Sequence, residues 1–339
     1  MSTVLAAAAI VPALVAWIVI RAALATAYAT RAADHPNERS LHATPRPRVG
    51  GIGVLLAALP WAIWHAPGPL QVVIGCAAAL ALVSAADDLK SLPVALRLAA
   101  HFTAAAIAVA ALASDAHWPP AAWAPAVLAI AWMTNLYNFM DGSDGLAGGM
   151  AVIGFGACAI AAAQAGVPAL AIACAALASA AAGFLAWNFP PARVFLGDAG
   201  SIPLGFLAGA LGLAGYRAGA WGAWFPVLVF SPFIVDASVT ILRRAARREP
   251  LWRAHRGHWY QRLVLAGWSH RRAALAAYAL MLAAAASALV ARPSGDFVQC
   301  GMMAVWLAAW LVLGWTIERH LRRAGQGGAA SPGPGRSID

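Results

Sequence analysis

The chain has 339 residues, 62% of them hydrophobic and 11% charged, with a mean hydropathy of +0.72 and a formal net charge of +10. Soluble domains carry roughly 25% charged residues, so a soluble globular chain is excluded. Lysine occurs once, at Lys90, and the positive charge is otherwise arginine; where those arginines fall along the chain explains the basic balance without a nucleic-acid partner.

Apolar runs of the length a bilayer helix needs, roughly 17–25 residues, predict an all-α polytopic membrane protein with about eleven transmembrane helices. In chain order they lie near 3–24, 49–66, 69–86, 97–115, 121–137, 148–166, 168–187, 201–217, 221–241, 271–291 and 299–317. The first run, "TVLAAAAIVPALVAWIVI", has no basic segment before it and is followed by Arg21, which reads as a retained spanning helix. Cys76, Cys158, Cys174 and Cys300 all fall inside apolar runs with no metal-like spacing, so no disulfide framework is expected. Residues 1–320 read as a single transmembrane catalytic domain, and 324–339, rich in Gly, Pro and Ser, as a disordered cytoplasmic tail. No period of 20–50 residues repeats, so internal symmetry gives no support to an inverted-repeat transporter.

Orientation follows from three arginine-rich segments. The first holds Arg31, Arg39, Arg46 and Arg48; the second holds Arg243, Arg244, Arg247, Arg248, Arg253, Arg256 and Arg262; the third holds Arg319, Arg322 and Arg323. The positive-inside rule makes all three cytoplasmic, and an odd number of spans with the N-terminus outside satisfies them together. Under this topology Asp87 and Asp88, Asp141 and Asp144, Asp198 and Asp236 all fall at cytoplasmic span ends. Thus six of the thirteen acids share one mouth. Carboxylates next to hydrocarbon are costly, and their presence points to function.

Each motif has two readings. The adjacent Asp87–Asp88 is either an exposed helix end near Lys90 or a cation site, since neighbouring carboxylates repel unless a cation lies between them. "NLYNFMDGSDGLAGG" is a polar turn or a ligand site, with Asn135, Asn138, Asp141 and Asp144 spaced by three and glycines that admit close backbone approach. Asp198 in "FLGDAGS" is an N-cap or part of a metal or phosphate site. "HRGHWYQRL" is a basic surface loop or a diphosphate clamp built from His255, Arg256 and His258. His42, Arg46 and Arg48 belong to a positive-inside loop or meet an anionic lipid headgroup. No GxxxxGK[ST] and no GxSxG is present, so neither P-loop nucleotide hydrolysis nor a serine nucleophile elbow is implied.

As an ordered set, "DDLKSLP", "NLYNFMDGSDGLAGG", "FLGDAGS", "PFIVDASVTILRR" and "HRGHWYQRL" resemble the polyprenyl-phosphate N-acetylhexosamine-1-phosphate transferases, over roughly residues 1 to 320. "PNERSLH" and "HWYQRL" look most like the branch that initiates O-antigen and other surface polysaccharides. The resemblance implies transfer of an N-acetylhexosamine 1-phosphate (GlcNAc or a related N-acetylated or deoxy sugar) from a UDP-sugar to undecaprenyl phosphate. The products are undecaprenyl-diphospho-sugar and UMP. It further implies Mg²⁺, with Mn²⁺ as an alternative, held by Asp198 and by Asp87 and Asp88, which would otherwise deprotonate the lipid phosphate. Asn138, Asp141 and Asp144 would line the nucleotide-sugar site, and His255, Arg256 and His258 would bind the diphosphate. Lys90, His42 and Arg46 complete the implied substrate-binding set. The implied setting is the bacterial inner membrane, with a cytoplasmic active site and a tendency to homodimerise. The competing reading is an ion-coupled secondary transporter using the same acids as cation sites; such sites usually lie near the midplane, which counts against it.

Overall fold

In hydrocarbon every backbone N–H and C=O must be satisfied within the segment, and the apolar runs accordingly become helices. The computed structural model describes residues 2–26, 29, 33–34, 45–113, 118–250 and 255–329. The first half comprises α1 (Ser2–Leu24), the two-residue strands β1 (Ala33–Asp34) and β2 (Arg46–Pro47), α2 (Gly50–His65), α3 (Gly68–Lys90), α4 (Val94–Leu112) and α5 (Trp123–Phe139). There follow α6 (Leu146–Gln164), α7 (Pro168–Asn188), α8 (Asp198–Arg217), α9 (Trp224–Val229), α10 (Ser231–Ala246), α11 (Trp259–Leu265), α12 (His270–Ala291) and α13 (Asp296–Ala329).

Among the described residues, eight helices are long and apolar enough to cross a membrane. These are α1, α3, α4, α6, α7, α8, α12 and α13. Two further expected spans, α2 and α5, form helices of 16 and 17 residues. The expected span 221–241 is not one helix. It breaks at Phe230 (φ −93°, ψ 7°) into α9 and α10. Pro232 follows the break; its ring has no N–H to donate and would clash with the carbonyl four residues back in an unbroken helix. The expected span 221–241 is thus interrupted at one residue, within the all-α polytopic architecture that the sequence predicts. At the other end, α13 runs on to Ala329, past residue 324 where composition predicts the tail to begin.

The core is formed by α6, α7 and α8, the most deeply buried of the spans, while α13 lies at the edge. Close helix contact rests on small residues. Gly51 of α2 meets Gly200 of α8 so tightly that a Cβ on Gly51 would lie 2.4 Å from the Gly200 Cα. This crossing matters because it brings the first turn of α8, with Asp198, against the segment that follows β2. The chain entering α8 is stitched to that segment by backbone bonds: Phe195 N–H donates to Pro47 O, Gly50 N–H to Phe195 O and Gly51 N–H to Leu196 O. β1 and β2 pair antiparallel, Asp34 opposite Arg46.

Candidate active site

Because α3 ends, α6 begins and α8 begins at the same end of the bundle, acids far apart in sequence come together there. Arg48 stands between them. Its Nη2 donates to Asp34 Oδ1 at 2.5 Å and its Nη1 to Asp88 Oδ1 at 3.2 Å, and its charge also acts on Asp198 and Asp141. Gly197, with φ +74°, makes the approach possible, since a Cβ there would sit 3.0 Å from the Arg48 Cβ. Asp88 is nearly buried, its side chain 5% exposed, and accepts the Ala199 backbone N–H at the start of α8.

Asp87 has partners of its own. Its Oδ1 accepts the Leu92 N–H at 2.6 Å and its Oδ2 accepts Arg97 Nη1 at 3.0 Å. The two neighbours of the DD pair therefore have separate cations, Arg97 for Asp87 and Arg48 for Asp88. Asn138 hydrogen-bonds Asp198 and accepts the Ser201 hydroxyl at 3.0 Å, joining the end of α5 to α8.

The loop between α5 and α6 divides its two aspartates between different tasks. Burial, and then the negative charge of Asp198, push the Asp141 carboxyl well above the usual carboxylate range, with Arg48 pulling the other way. Asp144 instead accepts the Ala192 N–H at 2.9 Å. Beside it the buried Asn188 accepts the Gly145 N–H at 2.9 Å and donates to Val194 O at 2.9 Å. Asp144 and Asn188 thus staple the 141–145 loop to the 189–197 segment that delivers Asp198. Ser143 Oγ lies 2.9 Å from His270 Nδ1.

The "HRGHWYQRL" segment packs against this loop. The Tyr260 hydroxyl donates to Phe139 O at 3.0 Å and is a neighbour of Gly142, so α11 braces the turn carrying Asp141. Asp236 fixes α11 in turn: its carboxylate accepts the N–H groups of Trp259 at 2.9 Å and Tyr260 at 3.3 Å, and the Thr240 hydroxyl at 3.2 Å. His258 Nδ1 lies 3.5 Å from the same carboxylate. On α10 the buried Phe233, Asp236, Ala237, Thr240 and Arg244 share one face, the spacing of three and four that sets a helical stripe. A second anchor is Glu318 of α13, which accepts from Arg243, from Arg262 (Nη2 at 3.0 Å) and from Trp259 Nε1 at 3.0 Å. His255 lies with its ring 5.0 Å from that of His258. Its pKa is lowered to about 4 by burial and by the neighbouring charges of His258 and Arg244.

Of the residues singled out in the sequence, Asp88 pairs with Arg48, Asp141 and Asp198 feel its charge, and Asn138 bonds Asp198. Asp87 stands beside them with Arg97, Asp144 serves the staple, and His255 and His258 lie on the braced loop. Arg256 is exposed on that loop, and Lys90 is exposed at the end of α3. Arg46 sits in the β-ladder, and the guanidinium that reaches the carboxylates is that of Arg48, two residues on. His42 lies outside the described residues. Asp236, one of the six acids that the sequence puts at the mouth, serves the α11 brace, and Arg48, Arg97, Asn188 and Tyr260 are the additions. Arg48 was visible as a cation in a basic loop; no sequence signal marked the others as partners of the acids.

Helical packing and a carboxylate mouth of this kind define a polytopic membrane enzyme, and comparison with known proteins gives the family. The model for glycosyl transferase family 4 matches residues 70–216, the stretch that contains Asp87, Asp88, Asn138, Asp141, Asp144 and Asp198. A decaprenyl-phosphate N-acetylglucosaminephosphotransferase of Mycolicibacterium smegmatis is 30% identical, over 73% of this chain and 72% of its own. A probable undecaprenyl-phosphate N-acetylglucosaminyl 1-phosphate transferase of Bacillus subtilis is 28% identical, over 83% and 80%. The undecaprenyl-phosphate alpha-N-acetylglucosaminyl 1-phosphate transferase of Yersinia pestis is 28% identical, over 86% and 85%. The chain belongs to the polyprenyl-phosphate N-acetylglucosamine-1-phosphate transferase family, and is a multi-pass membrane protein.

Proposed function

We propose that the protein transfers an N-acetylhexosamine 1-phosphate from a UDP-sugar to undecaprenyl phosphate, releasing UMP, at the cytoplasmic face of a bacterial inner membrane. The product would initiate a surface polysaccharide of the O-antigen kind. The observation that carries this reading is the cluster of Asp88, Asp141 and Asp198, from α3, the 141–145 loop and α8, that shares the charge of Arg48, with Asn138 of α5 bonded to Asp198.

Charge counting tests whether a divalent cation fits. Among the described residues, the Arg48 and Arg97 guanidinium groups act on Asp34, Asp87, Asp88, Asp141 and Asp198, an excess of acids over these two cations. Among the described residues no three carboxylate, histidine or cysteine side chains form a ready metal cage. Mg²⁺ ordinarily takes one or two protein carboxylates and completes its shell with water and substrate phosphate, and the acid-rich mouth suits it. Asp198, with Asp87 and Asp88, would hold Mg²⁺ (or Mn²⁺), which when bound neutralises charge on the diphosphate oxygens.

Phosphoryl transfer asks the protein mainly for positioning and charge stabilisation. An oxygen of the lipid phosphate attacks the sugar-bearing phosphorus of the UDP-sugar, the bond to the bridging oxygen breaks, and UMP leaves. The lipid phosphate has a second pKa of roughly 6 and is mostly dianionic near neutral pH, so Asp87 and Asp88 act more by orienting than by taking a proton. Asn138 and Asp141 line the donor site, and Asp144 fixes the loop they stand on. His255, Arg256 and His258 supply hydrogen bonds to the diphosphate. The lipid acceptor explains a site at headgroup depth, with the arginine-rich segments on the same side and the N-terminus outside.

Purified protein incubated with undecaprenyl phosphate, Mg²⁺ and a panel of UDP-N-acetyl sugars should release UMP with at least one donor and stop when the cation is chelated. Release with none of them would count against the assignment.

A further inference from the structure

A cavity of about 340 Å³ lies behind α11, between α10, α12 and α13. Its wall is formed by Phe233 of α10, Trp259 and Leu263 of α11, Leu280 and Met281 of α12, and Trp310 of α13. The helices that enclose it on the outside face lipid, for Leu275, Leu282, Leu307 and Leu311 are all exposed. A space of this composition takes hydrocarbon in preference to water, because water there would find few polar partners.

One end of the cavity is different. α13 runs back alongside α12, bringing His320 to Trp268, with ring centroids 6.5 Å apart; both residues line the cavity. The Arg272 guanidinium stacks 4.1 Å over the Trp268 ring. Arg319, Arg322 and Arg323 are exposed on the same last turns of α13, and Arg271 beside Arg272. Of the nearby acids, Glu318 is already engaged by Arg243 and Arg262, and Asp236, on the cavity wall, by the N–H groups of Trp259 and Tyr260. An apolar slot with an arginine-rich mouth matches an amphiphile with an anionic head, since basic residues close to a membrane attract anionic lipids.

We propose that this cavity holds a resident anionic phospholipid, an acyl chain between α12 and α13 and its phosphate at Arg272 and His320. Met140 and Leu146, on either side of the 141–145 loop, also line the cavity, whereas Asp88 of α3 and Asp198 of α8 do not. The phosphate held at Arg272 would be a second site, told apart from the acceptor's by competition with undecaprenyl phosphate. Since Trp259 and Tyr260 form one wall, the lipid would also support the helix that braces the Asp141 loop.

The test uses the full-length protein in phosphatidylcholine vesicles doped with dibrominated phosphatidylglycerol, whose bromines quench nearby tryptophans such as Trp259, Trp268 and Trp310. Quenching should saturate at low phosphatidylglycerol content, exceed that from dibrominated phosphatidylcholine, and lose amplitude in Trp268→Phe. Ala277→Phe, which fills the cavity, and Arg272→Gln, on the exposed surface, should each weaken the saturable component at least tenfold. Equal quenching by both brominated lipids, or an unchanged component in Arg272→Gln, would overturn the proposal. So would displacement of phosphatidylglycerol by added undecaprenyl phosphate, which would make the cavity an acceptor site. Because the readout is lipid occupancy, its outcome is independent of whether the transfer reaction is assigned correctly.

Discussion

Asn188 and Gly145 are 43 residues apart and joined by a hydrogen bond of 2.9 Å, the Gly145 N–H donating to Asn188 Oδ1, while Asn188 Nδ2 donates to Val194 O. One buried amide thus ties the loop of Asp141 to the segment that presents Asp198. Leaving a buried polar group without its partner costs about 1–3 kcal/mol. Asn188→Leu should therefore lower the thermal midpoint in detergent and reduce turnover, while Asn188→Asp, which keeps the acceptor, should lose less of both. Equal loss in the two variants would contradict a role through the Gly145 bond.

Arg48 and Arg46 are two residues apart, and it is Arg48 that pairs with both Asp88 and Asp34. Removing one fixed charge-stabilising donor from an active site typically costs about 10²–10³ in turnover. Arg48→Gln should show a loss of that order and Arg46→Gln a far smaller one, measured as initial rates of UMP release. Comparable losses would mean that Arg48 acts only through the general positive charge of its loop.

Asp236 supports α11 through two backbone N–H groups and the Thr240 hydroxyl. Hydrogen bonds to a charged group are worth about 1.5–3 kcal/mol each. Asp236→Ala should destabilise the protein measurably in thermal unfolding, with Asp236→Asn intermediate, and both should raise the donor KM because His258 loses its neighbour. An Asp236→Ala protein with unchanged stability and KM would contradict the brace.

His255 carries a pH dependence whose sign is fixed by its lowered pKa of about 4, against 6.5 for an unperturbed imidazole. Between those values the unfolded chain binds a proton that the folded chain excludes, so this contribution to stability is complete above about pH 6.5 and falls as pH drops toward 4. An anionic diphosphate beside the ring favours the cation. Binding of UDP near pH 5.5 should therefore take up a proton, read by calorimetry in buffers of different ionisation heat, and the uptake should vanish in His255→Gln. Equal uptake in both proteins would place the titrating group elsewhere.

The spans were legible because long apolar runs leave the backbone no alternative but helix, and the acids stood out because hydrocarbon makes them expensive. The break at Phe230 was less so, since Pro232 in an apolar run marks a start or a kink equally well. Asp141 and Asp144 looked equivalent in "DGSDG"; only packing against Ala192 separates the structural acid from the one facing Asp198. In the sequence Arg48 is one of several loop arginines, because its selection over Arg46 depends on the backbone bonds made by Phe195 and Leu196. Asn188, Arg97 and Tyr260 carry no local pattern; each owes its place to a partner dozens of residues away or on another helix.

The central claim is that a sugar 1-phosphate, and not the sugar alone, moves to the lipid. A UDP-N-acetyl sugar accepted by the protein and labelled with ³²P in the sugar-bearing phosphate decides this directly. The label should move into the lipid extract in step with unlabelled UMP, and Asp198→Asn, folded but lacking the carboxylate, should leave it in the donor. Label recovered in free UDP with unlabelled lipid-linked sugar would contradict the account.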